Sequence, residues 1–381
     1  MVLQRFHFVM VLMAIGLGTI SCPMQTIASE KQIPNLTYLQ EVPSGPIAGT
    51  EIDGSAFQFL TFTPSWETVI VGGHWYGAHG NHSSIYPAAS IWAHLPQIKA
   101  ESPNMVVALG DVVRDGQQPN AFDGFQELSR QLECAVKLVN GNHDGDYEDT
   151  DHVPYGDIID VKSDAKNLYL FLNTEWISKG GCKFSADLIR EQKALDKQNV
   201  IVFSHHLLWA LAEPDFAEMD DFANASYAPQ IAADSVKYLY DAILDVVGEG
   251  QMHWYSGDVG TEWSFPIFAD SSKDGKRHFY AAGVSDSPED AFLKLVIHSD
   301  GNIETSIFPL GTKEWGPLSE YNLEFWRKEV PKRRAAQELT FMQKISNTLY
   351  SKKFWAGVLL GALAMGLFGL MRFWWKKRKL A

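Results

Sequence analysis

Cysteine is scarce, and its scarcity excludes a disulfide-built scaffold: Cys22, Cys134 and Cys182 are the 3 cysteines in 381 residues. A chain of this length has to be held by an apolar core instead. Positive charge is also short. Lysine and arginine number 32 against 46 aspartates and glutamates, a formal net charge of −14, and the body carries no basic stripe. Such a surface repels nucleic-acid backbones, so no nucleic-acid partner is expected. An anionic phosphate substrate would have to be drawn in locally, for example by metal ions. There is no internal repeat, which argues against a solenoid or propeller. What is plentiful is apolar surface: hydrophobic residues make up 46% of the chain, with 22 Phe and 12 Trp, enough for a large aromatic core. The length fits one large domain or two ordinary ones.

The two ends read as targeting and anchoring segments. Arg5 precedes an apolar run from Phe8 to Ile20, and Thr26-Ile27-Ala28 offers small residues for cleavage, so residues 1–28 are expected to be a signal peptide. Cys22 has a faint lipoprotein-site context. Near the other end, Phe354–Met371 is an uncharged apolar run. Its length just suffices for a transmembrane helix, which needs about 17 residues or more. Trp355, Trp374 and Trp375 sit where interfacial aromatics belong, and Arg372 with Lys376-Lys377-Arg378-Lys379 predicts a cytoplasmic tail over 372–381. The expected topology is single-pass in a cell membrane, with an extracytoplasmic body, periplasmic or extracellular. In a eukaryotic cell the sequons at Asn35, Asn81 and Asn224 and the lysines Lys377 and Lys379 would move that body to the endoplasmic reticulum lumen. Gly357 and Gly361 form a GxxxG pattern, a weak pointer to a homodimer.

Between the ends, residues 29–65 read as a Pro- and Gly-punctuated linker entering an edge strand. Short apolar runs then alternate with helical patterns. Strands are expected at 68–71, 105–109, 135–139, 168–172, 200–203 and 252–255, and helices near 88–100, 120–132, 185–195 and 232–247. Strand-like pieces at 278–282, 292–298 and 303–308 follow one another, which implies a second sheet packed on the first. Residues 332–350 read as a helix with Ala335, Leu339, Met342, Ile345 and Leu349 along one side, within a juxtamembrane segment spanning 311–353.

Polar residues recur where these strands end, the place at which open α/β sheets gather their sites. His74 follows Gly72-Gly73. Asp111 follows Gly110. Asn142-His143-Asp144 follow Gly141, His205-His206 follow Ser204, and Asp258 follows Gly257. Singly each of these is ordinary turn or packing chemistry. In this order they resemble the calcineurin-like metallophosphoesterase family over residues 66–310. Gly141-Asn142-His143-Asp144 matches the family's GNHD motif in full; Gly110-Asp111 resembles its GD motif, and Val202-Phe203-Ser204-His205 its strand-His motif.

The resemblance implies an α/β fold, a two-sheet β-sandwich flanked by helices, to which this chain would add one C-terminal transmembrane helix. It implies a phosphate ester substrate, monoester or diester, and one or two divalent metal ions, Mn, Fe, Zn or Mg, that activate a water for attack on phosphorus. Asp111 would be the bridging carboxylate, Asn142 an amide-oxygen ligand and His205 a ligand, with His206 as the fallback. His143 would assist the leaving oxygen and Asp115 would orient His143, a departure from the family, which often places an acid one position earlier, where this chain has Arg114. Two motifs depart from the family. Its Asp-x-His reads Gly72-Gly73-His74, leaving only His74. Its Gly-His-x-His reads Gly257-Asp258-Val259-Gly260, so that Asp258 stands in as an oxygen ligand and Gly260 replaces nothing. His79 and His82 are candidate compensating ligands. A metal-dependent hydrolase is the first reading; a catalytically inactive binding or assembly module of the cell envelope is the alternative.

Other features carry two readings each. Asp144–Asp151 is dense in carboxylates but lacks the EF-hand pattern, which favours a solvated acidic loop. Residues 207–229 fit a lid or a packing insertion. Trp75 and Tyr76 shape a pocket or fill core. Arg327, Lys328, Lys332, Arg333 and Arg334 touch lipid headgroups or simply face solvent. Cys134 and Cys182 pair or stay free.

Overall fold

In β1 (Thr68–Gly72) the side chains of Val69 and Val71 point one way and Ile70 the other, and all are fully buried. A strand buried on both faces has no polar face to alternate with, which is why it reads as a continuous apolar run. The computed structural model describes residues 68–78, 86–145, 159–174, 177, 182–223, 233–260 and 264–349, together with 355, 359–369 and 375. β1 is the middle strand of a 5-stranded sheet ordered β11-β10-β1-β2-β3, whose other members are β2 (Met105–Ala108), β3 (Ala135–Leu138), β10 (Ala291–Ile297) and β11 (Ile303–Pro309). A 6-stranded sheet ordered β4-β5-β6-β7-β9-β8 is formed by β4 (Ile159–Ser163), β5 (Asn167–Leu172), β6 (Asn199–Ser204), β7 (Gln251–Ser256), β8 (Ile267–Ser271) and β9 (Arg277–Ala282). β5, β6, β7 and β9 run parallel, while β4 and β8 close the edges antiparallel.

The strand alternation sorts the core into layers. Val69, Val71, Val107 and Leu293 of the first sheet meet Phe171, Ile201, Phe203 and Tyr255 of the second. On the outer face of the first sheet, Ile70, Val106 and Phe292 pack on the helices α1 (Ala89–Ala93), α2 (Leu95–Ala100) and α3 (Asp123–Leu132). On the outer face of the second, Leu170, Val202 and Trp254 pack on α4 (Cys182–Glu191), α5 (Leu208–Ala212), α6 (Glu218–Phe222), α7 (Ala233–Val247) and the start of α8 (Leu323–Leu349). α7 shows why these segments are helical: Val236, Leu239, Tyr240, Ile243 and Val246 recur at helical spacing and all are buried. Each fully buried aliphatic side chain is worth about 1.5–3 kcal/mol. The expected two-sheet sandwich flanked by helices is therefore what forms.

Three differences from the sequence reading have physical causes. β4 and β8 were not anticipated, because edge strands such as Ile159-Asp160-Val161-Lys162-Ser163 mix charge into a short apolar pattern. α8 begins at Leu323, before the expected 332, since Leu323, Trp326 and Val330 bury on the second sheet. The packed body thus runs on past residue 310. Residues 207–223 are core rather than cover: Trp209, Phe216 and Met219 are buried.

Among the described residues no helix is long and apolar enough to cross a membrane. Residues 359–369 of the expected span are helical, with Leu359, Leu363 and Phe368 exposed. The rest of that span apart from Trp355, the signal peptide, the linker, His79, His82, Gly357 and the basic tail apart from Trp375 lie outside the described residues.

Candidate metal centre

The two sheets are stitched where β1 and β9 end. Gly73 pairs with Gly283, its N–H donating to Ala282 O at 2.8 Å. A Cβ at Gly73 would lie 2.4 Å from the Gly257 backbone, so only glycine lets these strand ends approach. The chain then turns through His74 in the left-handed region, φ 53°, and Asp111 does the same after β2, φ 55°. Non-glycine residues held there cost of order 1–3 kcal/mol, a cost characteristic of functional sites.

Both turns aim side chains at one point. His74 Nε2 stands 3.2 Å from Asp258 Oδ1 and 3.5 Å from Asp111 Oδ2. His205 Nε2 stands 3.4 Å from Asp111 Oδ1. The donor atoms of His74, His205 and Asp258 all lie within 4.8 Å of one another. A single ion with ligand bonds of about 2.0–2.2 Å spaces its donors by roughly 3–4 Å, and the pair distances of 3.2, 3.4 and 3.5 Å match that spacing. All four residues are buried.

Local hydrogen bonds prepare the donors. His205 Nδ1 lies 2.7 Å from Leu109 O; a carbonyl can only accept, so the proton sits on Nδ1 and the Nε2 lone pair faces the centre. That Nε2 is buried and has no hydrogen-bond partner among the described residues. An orphaned buried nitrogen costs about 1–3 kcal/mol, which a cation would offset. The N–H groups of Gly257 and Asp258 both donate to His205 O, at 2.8 and 3.0 Å, fixing Asp258 against His205. Burial raises the Asp258 pKa, but the His74 hydrogen bond and the nearby imidazoles outweigh it and hold the group down at about 2. At His205 burial lowers the pKa, and the Asp111 and Asp258 carboxylates more than reverse that. The donor set of imidazole and carboxylate suits Mn, Fe or Zn.

Asp144 is the residue that sequence reasoning misplaced in a solvated acidic loop. It is buried, with only 1% of its surface exposed. Its carboxylate accepts the N–H groups of Asp111 (2.7 Å), Val112 (2.8 Å), Val113 (3.3 Å) and Gly141 (2.7 Å), clamping the loops after β2 and β3 together. Burial and the adjoining Asp111 charge push its pKa upward, and the backbone N–H donors pull against them. Residues 146–151 of the same run lie outside the described residues.

His143 keeps its place at the rim, but its expected orienter does not. Asp115 turns its carboxylate to Gln117 N at 3.2 Å and Gln118 Nε2 at 2.9 Å. The side chain that meets His143 is Arg114: Arg114 Nη1 lies 3.1 Å from His143 Nε2, and His143 Nδ1 lies 2.9 Å from Arg114 O. The reason is local: the Gln117 N–H and the Gln118 side-chain amide capture the Asp115 carboxylate within its own turn. The His143 N–H donates to Asp111 Oδ1 at 3.0 Å. Burial lowers the His143 pKa, Arg114 adds to that, and Asp111 opposes it.

The remaining expectations sort as follows. His206 Nδ1 lies 2.9 Å from Thr174 Oγ1, whereas His205 Nε2 is the ring nitrogen found 3.4 Å from Asp111 Oδ1. Asn142 stands on the same loop, between Gly141 and His143. Trp75 is core, stacked on Phe292, while Tyr76 is a site residue stacked on His74 at 5.5 Å. On the basic face of α8, Arg327 pairs with Glu218 at 2.7 Å and Arg333 pairs with Glu289, while Lys328 and Lys332 stay exposed beside Glu329 of the same helix. Cys134 and Cys182 are free thiols.

The two motif departures are built into the packing. A Cβ at Gly72 would lie 1.9 Å from the Phe292 ring, so the aromatic core occupies the space of any side chain there. At Gly260, φ +88°, a Cβ would lie 2.8 Å from Gly283 O. Neither position has room for a further ligand.

Residues 79–239 match the family described as Calcineurin-like phosphoesterase, the one its motifs resemble. No curated protein matches the chain. Among solved structures, a dimetal phosphatase from Danio rerio is 13% identical, with 65% of this chain and 99% of that one covered and a TM-score of 0.41. A purple acid phosphatase from yellow lupin (Lupinus luteus) seeds is 11% identical, with 66% and 52% covered and a TM-score of 0.44.

Proposed function

We propose that this chain, whose residues 79–239 match the calcineurin-like phosphoesterase family, is a phosphoric ester hydrolase that works with one divalent ion. The observation that carries the reading is the buried gathering of His74, His205 and Asp258, whose donor atoms lie within 4.8 Å of one another, with the Asp111 carboxylate 3.5 Å from His74 and 3.4 Å from His205. These four residues would hold the ion. When bound, it supplies Lewis-acid polarisation of a phosphoryl oxygen and lowers the pKa of a water at the site.

The protein's own groups do the rest. Asp144 holds the two loops that carry Asp111 and His143, so the donors are set before substrate arrives. Tyr76 packs over His74 and excludes water from that side. His143 and Arg114 form the polar rim against which a phosphoryl group would lie.

The test is hydrolysis of p-nitrophenyl phosphate and bis(p-nitrophenyl) phosphate by purified protein reconstituted with Mn, Fe, Zn or Mg, with metal content measured in parallel. The expected result is one ion per chain and turnover that disappears in Asp111→Asn. A protein that binds an ion but cleaves neither ester fits the second reading, a binding module. The closed positions at Gly72 and Gly260 favour that second reading to the extent that the family's chemistry needs two ions.

The end segments support an extracytoplasmic body tethered by Phe354–Met371. Protease digestion of intact cells or right-side-out vesicles would remove the body and spare a tail tag. Protection of the body would overturn that topology.

A further inference from the structure

We propose that Arg114 is the phosphoryl-binding cation of this centre, taking the place of a second metal ion, and that it makes the site select phosphomonoesters over phosphodiesters. The inference rests on the hydrolase reading and deepens it. Three observations carry it.

The first is a deficit of positive charge. Asp111, Asp144 and Asp258 are all buried at the centre. One divalent ion balances two carboxylates and leaves nothing over to attract a phosphate. The packing of Phe292 against Gly72 and of Gly283 against Gly260 closes the two positions where the family motifs would mount further ligands. A side-chain cation beside the centre can supply that charge.

The second is the placement of Arg114. Its Nη1 donates to Tyr76 Oη at 3.2 Å and to His143 Nε2 at 3.1 Å, and its guanidinium lies 5.1 Å from the Tyr76 ring centroid. Tyr76 in turn stacks on His74, whose Nε2 reaches Asp258. The guanidinium is thereby held one aromatic ring away from the ion's donors. A planar guanidinium matches the spacing of two phosphoryl oxygens, and its attraction rises with the charge of the ester. A monoester dianion carries twice the charge of a diester monoanion.

The third is the proton inventory of His143. Arginine can only donate, so His143 Nε2 is an acceptor. The ring proton is then on Nδ1 and is donated to Arg114 O. In this arrangement His143 has no proton facing the site. It is a positioning residue for Arg114, held from both ring nitrogens.

The experiment uses the metal-loaded protein and inorganic phosphate as the probe, titrated calorimetrically, alongside the two chromogenic esters. Arg114→Met is expected to weaken phosphate binding at least about tenfold and to lower kcat/KM for p-nitrophenyl phosphate by about 10²–10³-fold. Its kcat/KM for the diester should fall less than about tenfold, and its metal content should equal that of the wild type. Arg114→Lys, which keeps the charge without the fork, should fall between. Tyr76→Phe, which removes one acceptor holding the guanidinium, should weaken phosphate binding without loss of metal. Unchanged phosphate affinity in Arg114→Met, or equal losses for both esters, would overturn the proposal, as would loss of metal from Arg114→Met and Arg114→Lys alike. If the wild type cleaves neither ester, the hydrolase reading fails by itself. Phosphate binding to the loaded protein, and its dependence on Arg114, would still decide whether Arg114 binds phosphoryl groups.

Discussion

The carboxylate of Asp144 accepts the N–H of Asp111 at 2.7 Å, and the carboxylate of Asp111 accepts the N–H of His143, the residue before Asp144, at 3.0 Å. The two loops are thus locked reciprocally, each by the other's aspartate. The lock fixes Asp111 in a left-handed conformation that it would otherwise avoid.

Asp144→Asn should therefore be costly although Asp144 is not a donor to the ion. An amide nitrogen would face backbone N–H groups that now share an anionic acceptor. The expected loss is about 2–4 kcal/mol of unfolding free energy, read by urea denaturation, together with weaker metal retention. Stability within about 0.5 kcal/mol of the wild type would show that the clamp contributes little.

Metal should stabilise the fold through the same centre. Adding an ion at about 100 times its Kd is worth about 2.7 kcal/mol, provided it binds only the native state. Thermal unfolding with and without a chelator should show this shift in the wild type and lose it in His205→Ala and Asp258→Ala. A shift that survives both substitutions would place the ion elsewhere.

Restoring the family's missing carboxylate should fail. Gly72→Asp drives a side chain into the Phe292 ring. The variant is expected to lose about 1–3 kcal/mol by overpacking and to keep one ion per chain by elemental analysis. Two ions per chain in a stable variant would contradict the packing argument.

Acid sensitivity should come in part from His253, a β7 residue with no part in the metal centre. It is buried between the sheets, stacked 4.7 Å from His278, and neither ring nitrogen has a hydrogen-bond partner among the described residues. Burial, with His278 alongside, lowers its pKa from 6.5 to about 3. Between those values the unfolded chain binds a proton that the folded chain refuses, so stability falls as pH drops through that window. At pH 5 this amounts to about 2 kcal/mol. His253→Phe should lose less stability than the wild type between pH 7.5 and 5. Equal losses in the two proteins would show that His253 is protonated in the fold.

Much of the scaffold is legible because buried strands announce themselves. Val69-Ile70-Val71 and Val200-Ile201-Val202-Phe203 are long enough apolar runs to need no tertiary information. β4 and β8 escape because an edge strand is stabilised from one side and tolerates charge within its pattern. At the site, His74, Asp111, His205 and Asp258 are visible as polar residues at strand ends. The clamp formed by Asp144 and the choice of Arg114 over Asp115 are not, since neighbouring residues on one turn look alike until the direction of each side chain is known.

The amino-acid order alone determined which chemistry is carried at which strand end, and hence an oxygen- and nitrogen-donor centre on a two-sheet α/β frame. Only the tertiary structure decided that His74, distant in sequence from Asp258, lies 3.2 Å from it, and that Phe292 fills the space beside Gly72. Local sequence governs backbone propensity over a few residues. The meeting of side chains brought together from different strands is governed by close packing, which no short stretch of chain encodes.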